Sequence, residues 1–481
     1  MLNYKFLANK IGLLLFFEAG FMLTAALVSV IYGENDLSAI LTSAVITSGI
    51  GALLWLFSKG RSPEMGKREG YFLVAVVWAV YTIFGALPFW LSGYIPSYTD
   101  AFFEAISGFT TTGATILTNV EALPHGLLFW RSLTHFIGGV GILVLMIAVL
   151  PIYGTGNMML YQAEYSGANF GSKIKPRVLD TVRRIVRIYL ILNGVLFLFL
   201  LIAGMNPFDA ICHTFGTMAT GGFSTRNASI AAYSPLIQYI IMAFLFIAGI
   251  NFTLLYFAGH GKFRKVWKDD EFRWYFSIVV IAGLIIMSDL FFVYKFPLEG
   301  AFRHGFFQAI SFMTCTGFVS ENYAIWSSFS ILILLLVMAM GGSAGSTSGG
   351  IKVVRIVLLW RMIPVELKKI VHQRGIIPVR LNESSVKEDL LHRVLAFIML
   401  FIIILLVAIF LLLLMGVDPK AAVFGSVSCM SNVGPGLGSV YANFSSVPML
   451  GKWIFSTLMF VGRLEIFTLF ILFTSAFWRQ R

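Results

Sequence analysis

From Val394 to Met415 the chain runs without one polar side chain. At 1.5 Å per residue a helix of that length crosses the hydrocarbon of a bilayer. Stretches of the same character recur at about 11–32, 71–93, 186–204 and 274–295. Water-soluble packing has no room for them: 58% of the 481 residues are hydrophobic and 12% charged, against about 25% charged in soluble domains. The fold class that follows is an all-α polytopic membrane protein. No cleavable leader is expected, because Lys5 and Lys10 precede an apolar run that lacks a small-residue cleavage site in register. Ile11 to Tyr32 is therefore predicted to be the first span.

The formal net charge of +12 does not point to a nucleic-acid ligand, because the cations are sorted along the chain. Most fall on alternate inter-helix segments and the termini: Lys5 and Lys10, Lys59 to Arg68, Lys173 to Arg187, Lys262 to Arg273, Lys352 to Arg393, and Arg479 with Arg481. Excess Lys and Arg marks the cytoplasmic side, so both termini are expected inside, with membrane lipid as the surroundings. Cys212, Cys315 and Cys429 have no metal-ligand spacing and are expected as small buried side chains.

With that orientation the chain divides into an N-terminal helix pair (residues 1–69) and four units of outward helix, short non-spanning segment and return helix. The units are residues 70–158, 159–270, 271–375 and 376–481. The return helices are expected at about 125–150, 234–258, 327–357 and 449–476, which makes ten spans. The repeat shows in the short segments. Phe102-Phe103-Glu104-Ala105-Ile106-Ser107 stands six residues before Gly113, and Phe306-Phe307-Gln308-Ala309-Ile310-Ser311 six before Gly317. Val423 to Ser428 leads to Gly434 in the same way, and a more diverged Asp209 to Phe215 precedes Gly221.

Each segment ends in a Gly/Thr-rich stretch: Thr110-Thr111-Thr112-Gly113-Ala114, Met218-Ala219-Thr220-Gly221-Gly222, Thr314-Cys315-Thr316-Gly317-Phe318, and Ser431-Asn432-Val433-Gly434-Pro435. Irregular backbone at membrane depth is tolerated only where it is buried in protein or lines a wet cavity. Four copies about one axis would line one. In potassium filters the carbonyls of four Thr-Val-Gly-Tyr-Gly loops replace the hydration shell of the ion. Glycine turns those carbonyls without steric cost, and the preceding short helix aims its negative end at the cation. The ion expected here is K+, held by the backbone of Thr111, Thr112, Gly113, Ala114, Ala219, Thr220, Gly221, Gly222, Cys315, Thr316, Gly317, Phe318, Asn432, Val433, Gly434 and Pro435. None of the four stretches carries a carboxylate, which argues against a calcium-type acidic ring.

Taken with Gly221-Gly222-Phe223-Ser224-Thr225, the 341–352 stretch, Asn432 to Gly438 and Gly462-Arg463-Leu464-Glu465, these motifs resemble the Trk/Ktr/HKT superfamily of potassium transporters. The bacterial TrkH branch is the most similar, because the extra N-terminal helix pair is present. The resemblance covers nearly the whole chain. It implies a homodimer with one pore per subunit and regulation by a cytosolic TrkA-like nucleotide-binding ring. It also implies potassium preference, since sodium-preferring plant relatives carry serine where this chain has Gly113.

Gly341-Gly342-Ser343-Ala344-Gly345-Ser346-Thr347-Ser348-Gly349-Gly350 interrupts the third return helix. Each glycine costs about 1 kcal/mol against alanine in a helix interior. The stretch is expected to be a gating loop below the filter, and the resemblance supports that. It is not a phosphate loop, because Ile351 stands where lysine is needed. Nor do Ser343, Ser346 and Ser348 make a serine protease, since nothing in the sequence pairs them with His135, the histidine set well inside a span. Arg463 lies inside the last apolar run. An intramembrane guanidinium faces a cavity or a partner as a rule, and a bond from it to the gating loop is expected. A sodium- or proton-coupled potassium carrier is the alternative reading. Such carriers place an ionisable group at the midplane, and Arg463, the clearest one visible, does not release its proton.

Overall fold

The structure, a computed structural model, describes residues 3–58, 67–153, 174–373, 375 and 377–479. The expected repeat boundary at 158/159, the basic residues Lys59, Arg61, Lys173, Arg374 and Arg481, and the parts of the expected docking surface that hold them lie outside the described residues.

Seven described helices are long and apolar enough to cross a bilayer, and two sharply bent pairs raise the number to nine. The tenth expected span is two helices, Ser328–Met340 and Val353–Val371, with the glycine-rich link between them. The N-terminal pair Tyr4–Tyr32 and Leu37–Phe57 packs as an antiparallel hairpin. Gly12 and Gly51 face each other across it so closely that a Cβ on either would press on the other's backbone. Its acidic turn is more than a connection. Asp36 accepts from Leu127 N at 2.9 Å, Glu34 accepts from His125 N, and Glu34 Oε1 lies 2.8 Å from His125 Nδ1. Those carboxylates satisfy the free amides at the start of the return helix His125–Tyr153 and complement its positive end.

Four short helices each precede a return helix: Tyr98–Phe109, Pro207–Met218, Leu298–Met313 and Pro419–Ser431. Two start with Pro at the first turn behind a capping side chain, Asn206 accepting from Asp209 N and Asp418 from Ala421 N. There the missing proline N–H costs nothing. Two buried clusters hold these helices in place. One belongs mainly to repeats 2 and 3, the other to the N-terminal pair with repeats 1 and 4. Outward-facing residues such as Phe57, Ile202 and Leu414 are exposed, as lipid contact requires.

Return helices expected to be continuous at 234–258 and 449–476 are broken. Pro235–Ala248 and Phe252–Gly259 meet at 108°, and Met449–Arg463 meets Ile466–Phe473 at 107°. In the first, Gly249 caps the end of one helix and Asn251 the start of the next, accepting from Thr253 N at 2.8 Å. In the second, Glu465 takes a positive φ of 59° and pairs with Arg355 at 2.7 Å. Three of the four return helices are thus interrupted below the short helices. A small antiparallel hairpin, Arg380–Leu381 with Ser384–Ser385, lies in the Lys352–Arg393 segment and was not expected.

Candidate functional site

Each short helix gives way to the same four-residue turn. A left-handed residue follows the cap in three repeats, Thr111 (φ 50°), Thr220 (52°) and Cys315 (58°), and is the cap itself in the fourth, Asn432 (58°). The amide of the next residue reaches back to the helix: Thr112 N to Ser107 O, Gly221 N to Gly216 O and Thr316 N to Ser311 O at 2.8 Å, and Val433 N to Ser428 O at 2.9 Å. Then comes a glycine of positive φ: Gly113 (82°), Gly222 (82°), Gly317 (77°) and Gly434 (104°).

This register corrects the expectation for repeat 2. Its turn glycine is Gly222, and Gly221 matches Thr112, Thr316 and Val433. Ala219 consequently matches Thr110 at the helix cap, and Phe223 takes the place expected for Gly222, alongside Ala114, Phe318 and Pro435. The reason for two adjacent glycines is steric. A Cβ on Gly221 would enter the ring of His135, which is fully buried and stacks on Phe223 at 4.2 Å between centroids. His135 is therefore a packed histidine, and among the described residues neither ring nitrogen has a hydrogen-bond partner.

The four turns close on one another. A Cβ on Gly113 would collide with Gly221 O, one on Gly222 with Thr316 O, one on Gly317 with Val433 O, and one on Gly434 with Thr112 O. Every repeat touches the next, and the fourth returns to the first. The ring that results presents carbonyls of Thr112, Gly221, Thr316 and Val433. Its outer wall is hydroxyl-rich and unequal. Thr110 and Thr112 share a 2.8 Å hydroxyl contact, as do Thr314 and Thr316, while Asn432 Nδ2 donates to Thr112 Oγ1 at 3.0 Å and Met459 O at 2.9 Å. Among the described residues no cluster of three or more His, Cys, Asp or Glu suits a metal ion. The cation chemistry available here is that of neutral carbonyls at the negative ends of four short helices.

The glycine-rich link lies directly against this ring. A Cβ on Gly349 would collide with Ser431 O, and Thr347 Oγ1 donates to Met218 O at 3.1 Å. The broken return helix of repeat 2 anchors it: Ser343 N donates to Gly249 O and Phe252 N to Gly345 O, both at 3.0 Å. Ala344 N donates to Glu271 Oε1 at 2.6 Å and Ser346 Oγ to Ser343 O at 2.6 Å. Gly341 (φ 74°) and Gly350 (φ 74°) pack on each other where the link begins and ends, and Gly342 packs on Ser348. Arg463, buried at 3% exposure, donates from Nη1 to Thr347 O at 2.8 Å. The expected bond between Arg463 and the link is present.

Sequence reasoning missed three members of this assembly. Lys352, expected on the basic cytoplasmic face, is buried and its Nζ donates to Ser348 O. Glu271 and Asn251 hold the link from outside. Their signal was a carboxylate and an amide at the ends of apolar helices, where both also serve as ordinary caps. Arg463 is not the sole buried ionisable group either: Glu18, Glu104, Arg131 and Glu271 are also nearly inaccessible.

A family model described as a cation transport protein, TrkH, matches residues 36–480. The Trk system potassium uptake protein TrkH of Escherichia coli K12 is 39% identical over 487 residues, covering 100% of both chains. That of Vibrio parahaemolyticus is 37% identical over 486 residues, again covering 100% of both. The crystal structure of the potassium transporter TrkH from Vibrio parahaemolyticus aligns with a TM-score of 0.91 at 35% identity, over 99% of this chain and 100% of that one.

Proposed function

The chain belongs to the TrkH family of cation transport proteins, and from that premise we propose that it is a potassium uptake protein of the bacterial inner membrane. It is a transporter and not an enzyme. Potassium passes through the ring of backbone carbonyls from Thr112, Gly221, Thr316 and Val433, with Gly113, Gly222, Gly317 and Gly434 giving the ion its room. The observation that carries this reading is the closed cycle in which each turn glycine abuts a carbonyl of the next repeat.

Flow is controlled below the ring. The 341–350 link, tied by Arg463 to Thr347 O, blocks the path until it moves. A cytosolic TrkA-like nucleotide-binding ring drives that movement on a homodimer of this chain. The cytoplasmic helix Val353–Val371, which leaves directly from the link, supplies a mechanical route.

The test is uptake of 86Rb+ into liposomes holding the purified protein, with sodium or potassium as competitor. Rubidium uptake inhibited by potassium, and not by equal sodium, is the expected result. Uptake that sodium suppresses as well as potassium does, or none above empty liposomes with the regulatory ring added, removes the proposal.

A further inference from the structure

One position behind the ring is filled differently in every repeat. Nine residues before the turn glycines stand Glu104, His213, Gln308 and Gly425. Three of them tie down the strand that leaves the ring. Glu104 accepts from Thr115 Oγ1 at 2.9 Å and from Ile116 N at 3.0 Å. His213 Nε2 lies 2.9 Å from Ser224 Oγ, and Gln308 Nε2 donates weakly to Phe318 O at 3.3 Å. At Gly425 there is no side chain to do so, and the rings of Phe455 and Phe444 crowd the space.

The strongest of these ties is ionic and spans two repeats. Glu104 and Arg131 are buried to 0% and 3% side-chain exposure, with Arg131 Nε 2.6 Å from Glu104 Oε1. Arg131 Nη1 donates to Ser224 O at 3.0 Å, and its guanidinium lies 3.4 Å from the Phe223 ring centroid. One ion pair thereby holds the exit strands of repeats 1 and 2 together. Charge-assisted bonds are the stronger kind, and a dry surround strengthens them further.

We infer that Glu104 and Arg131 are a positioning pair that holds the ring at the width of a potassium ion. The inference rests on the potassium-pore reading and goes beyond it. Neither side chain reaches the ring carbonyls; both act through the segments that follow Gly113 and Gly222. A ring held open on the side of repeats 1 and 2 cannot contract around sodium there.

The test is the ratio of rubidium to sodium uptake in the reconstituted full chain. Glu104→Gln is expected to lower that ratio about tenfold, a loss of about 1.4 kcal/mol of discrimination, while rubidium uptake persists. Thr115→Val, which removes the hydroxyl that donates to Glu104 and accepts from Leu117 N at 3.1 Å and leaves the ion pair, shifts the ratio in the same direction by less, and decides the matter if Glu104→Gln does not fold. Asp100→Asn breaks the Lys452–Asp100 pair (2.7 Å) at the mouth of the same helix and keeps the wild-type ratio. An unchanged ratio in the Glu104 and Thr115 variants, or an equal shift in Asp100→Asn, overturns the positioning role. A wild-type protein that passes sodium as readily as rubidium removes the potassium reading itself.

Discussion

Alanine at Gly222 is expected to abolish rubidium uptake, and removal of the His135 ring is not expected to restore it. The new Cβ would meet Thr316 O, a backbone atom held in the ring, and would sit on a residue of φ 82°. The left-handed region alone costs an L-residue about 1–2 kcal/mol. Since the carbonyl must also move, a barrier increase of about 3 kcal/mol or more, a fall of roughly 100-fold, is expected. Gly317→Ala, meeting Val433 O in the same way, behaves alike. Gly221→Ala also loses uptake, but for a different reason: its Cβ meets the imidazole of His135. The double variant Gly221→Ala with His135→Ala therefore recovers most of the uptake. Rescue of Gly222→Ala by His135→Ala, or failure to rescue Gly221→Ala in a folded protein, would show the register of repeat 2 to be wrong.

Arg463→Ala is expected to raise rubidium uptake at least about tenfold when no regulatory partner is present, equivalent to a barrier lowered by about 1.4 kcal/mol. The guanidinium holds Thr347 O at 2.8 Å and approaches Gly138 O at 3.5 Å. It thereby ties the 341–350 link to the return helices of repeats 4 and 1. On the proposed path its charge also opposes a descending cation, and burial leaves little solvent to screen it. Alanine removes both the tie and the charge. Arg463→Lys keeps the charge without the fixed fork of donors, and an intermediate uptake is expected from it. Monodispersity and thermal stability close to wild type are required of each variant. Unchanged or lower uptake from stable Arg463→Ala would sink the latch.

The architecture was legible because hydrophobic length and the sorting of Lys and Arg act over whole segments, and because Phe-Phe-Glu/Gln-Ala-Ile-Ser stands twice before a glycine. The link at 341–350 and its bond to Arg463 were legible for a related reason. Dense glycine and an intramembrane cation are both costly unless they serve each other. What escaped was set by single positions. The turn glycine of repeat 2 could not be chosen between Gly221 and Gly222 without knowing that His135, on a return helix, fills the space beside Gly221. The break after Gly249 hides in an apolar run, where Asn251 is a cap in the fold and one polar residue in the sequence. Lys352 looked like one more cytoplasmic cation because its burial depends on the link folding back over it. Glu104 was visible only as one letter of a repeat, although its ion pair with Arg131 joins two strands far apart in the chain.

The central claim is that four unequal turns form one ring whose carbonyls strip and hold a monovalent cation. Anomalous diffraction from crystals of the full chain grown in rubidium tests it directly. The expected result is a rubidium peak on the axis of the ring, in contact with the carbonyls of Thr112, Gly221, Thr316 and Val433, and lost in Gly222→Ala. Rubidium bound only elsewhere, against Glu271 or Glu18 for instance, with the axis empty at saturating rubidium, would contradict it.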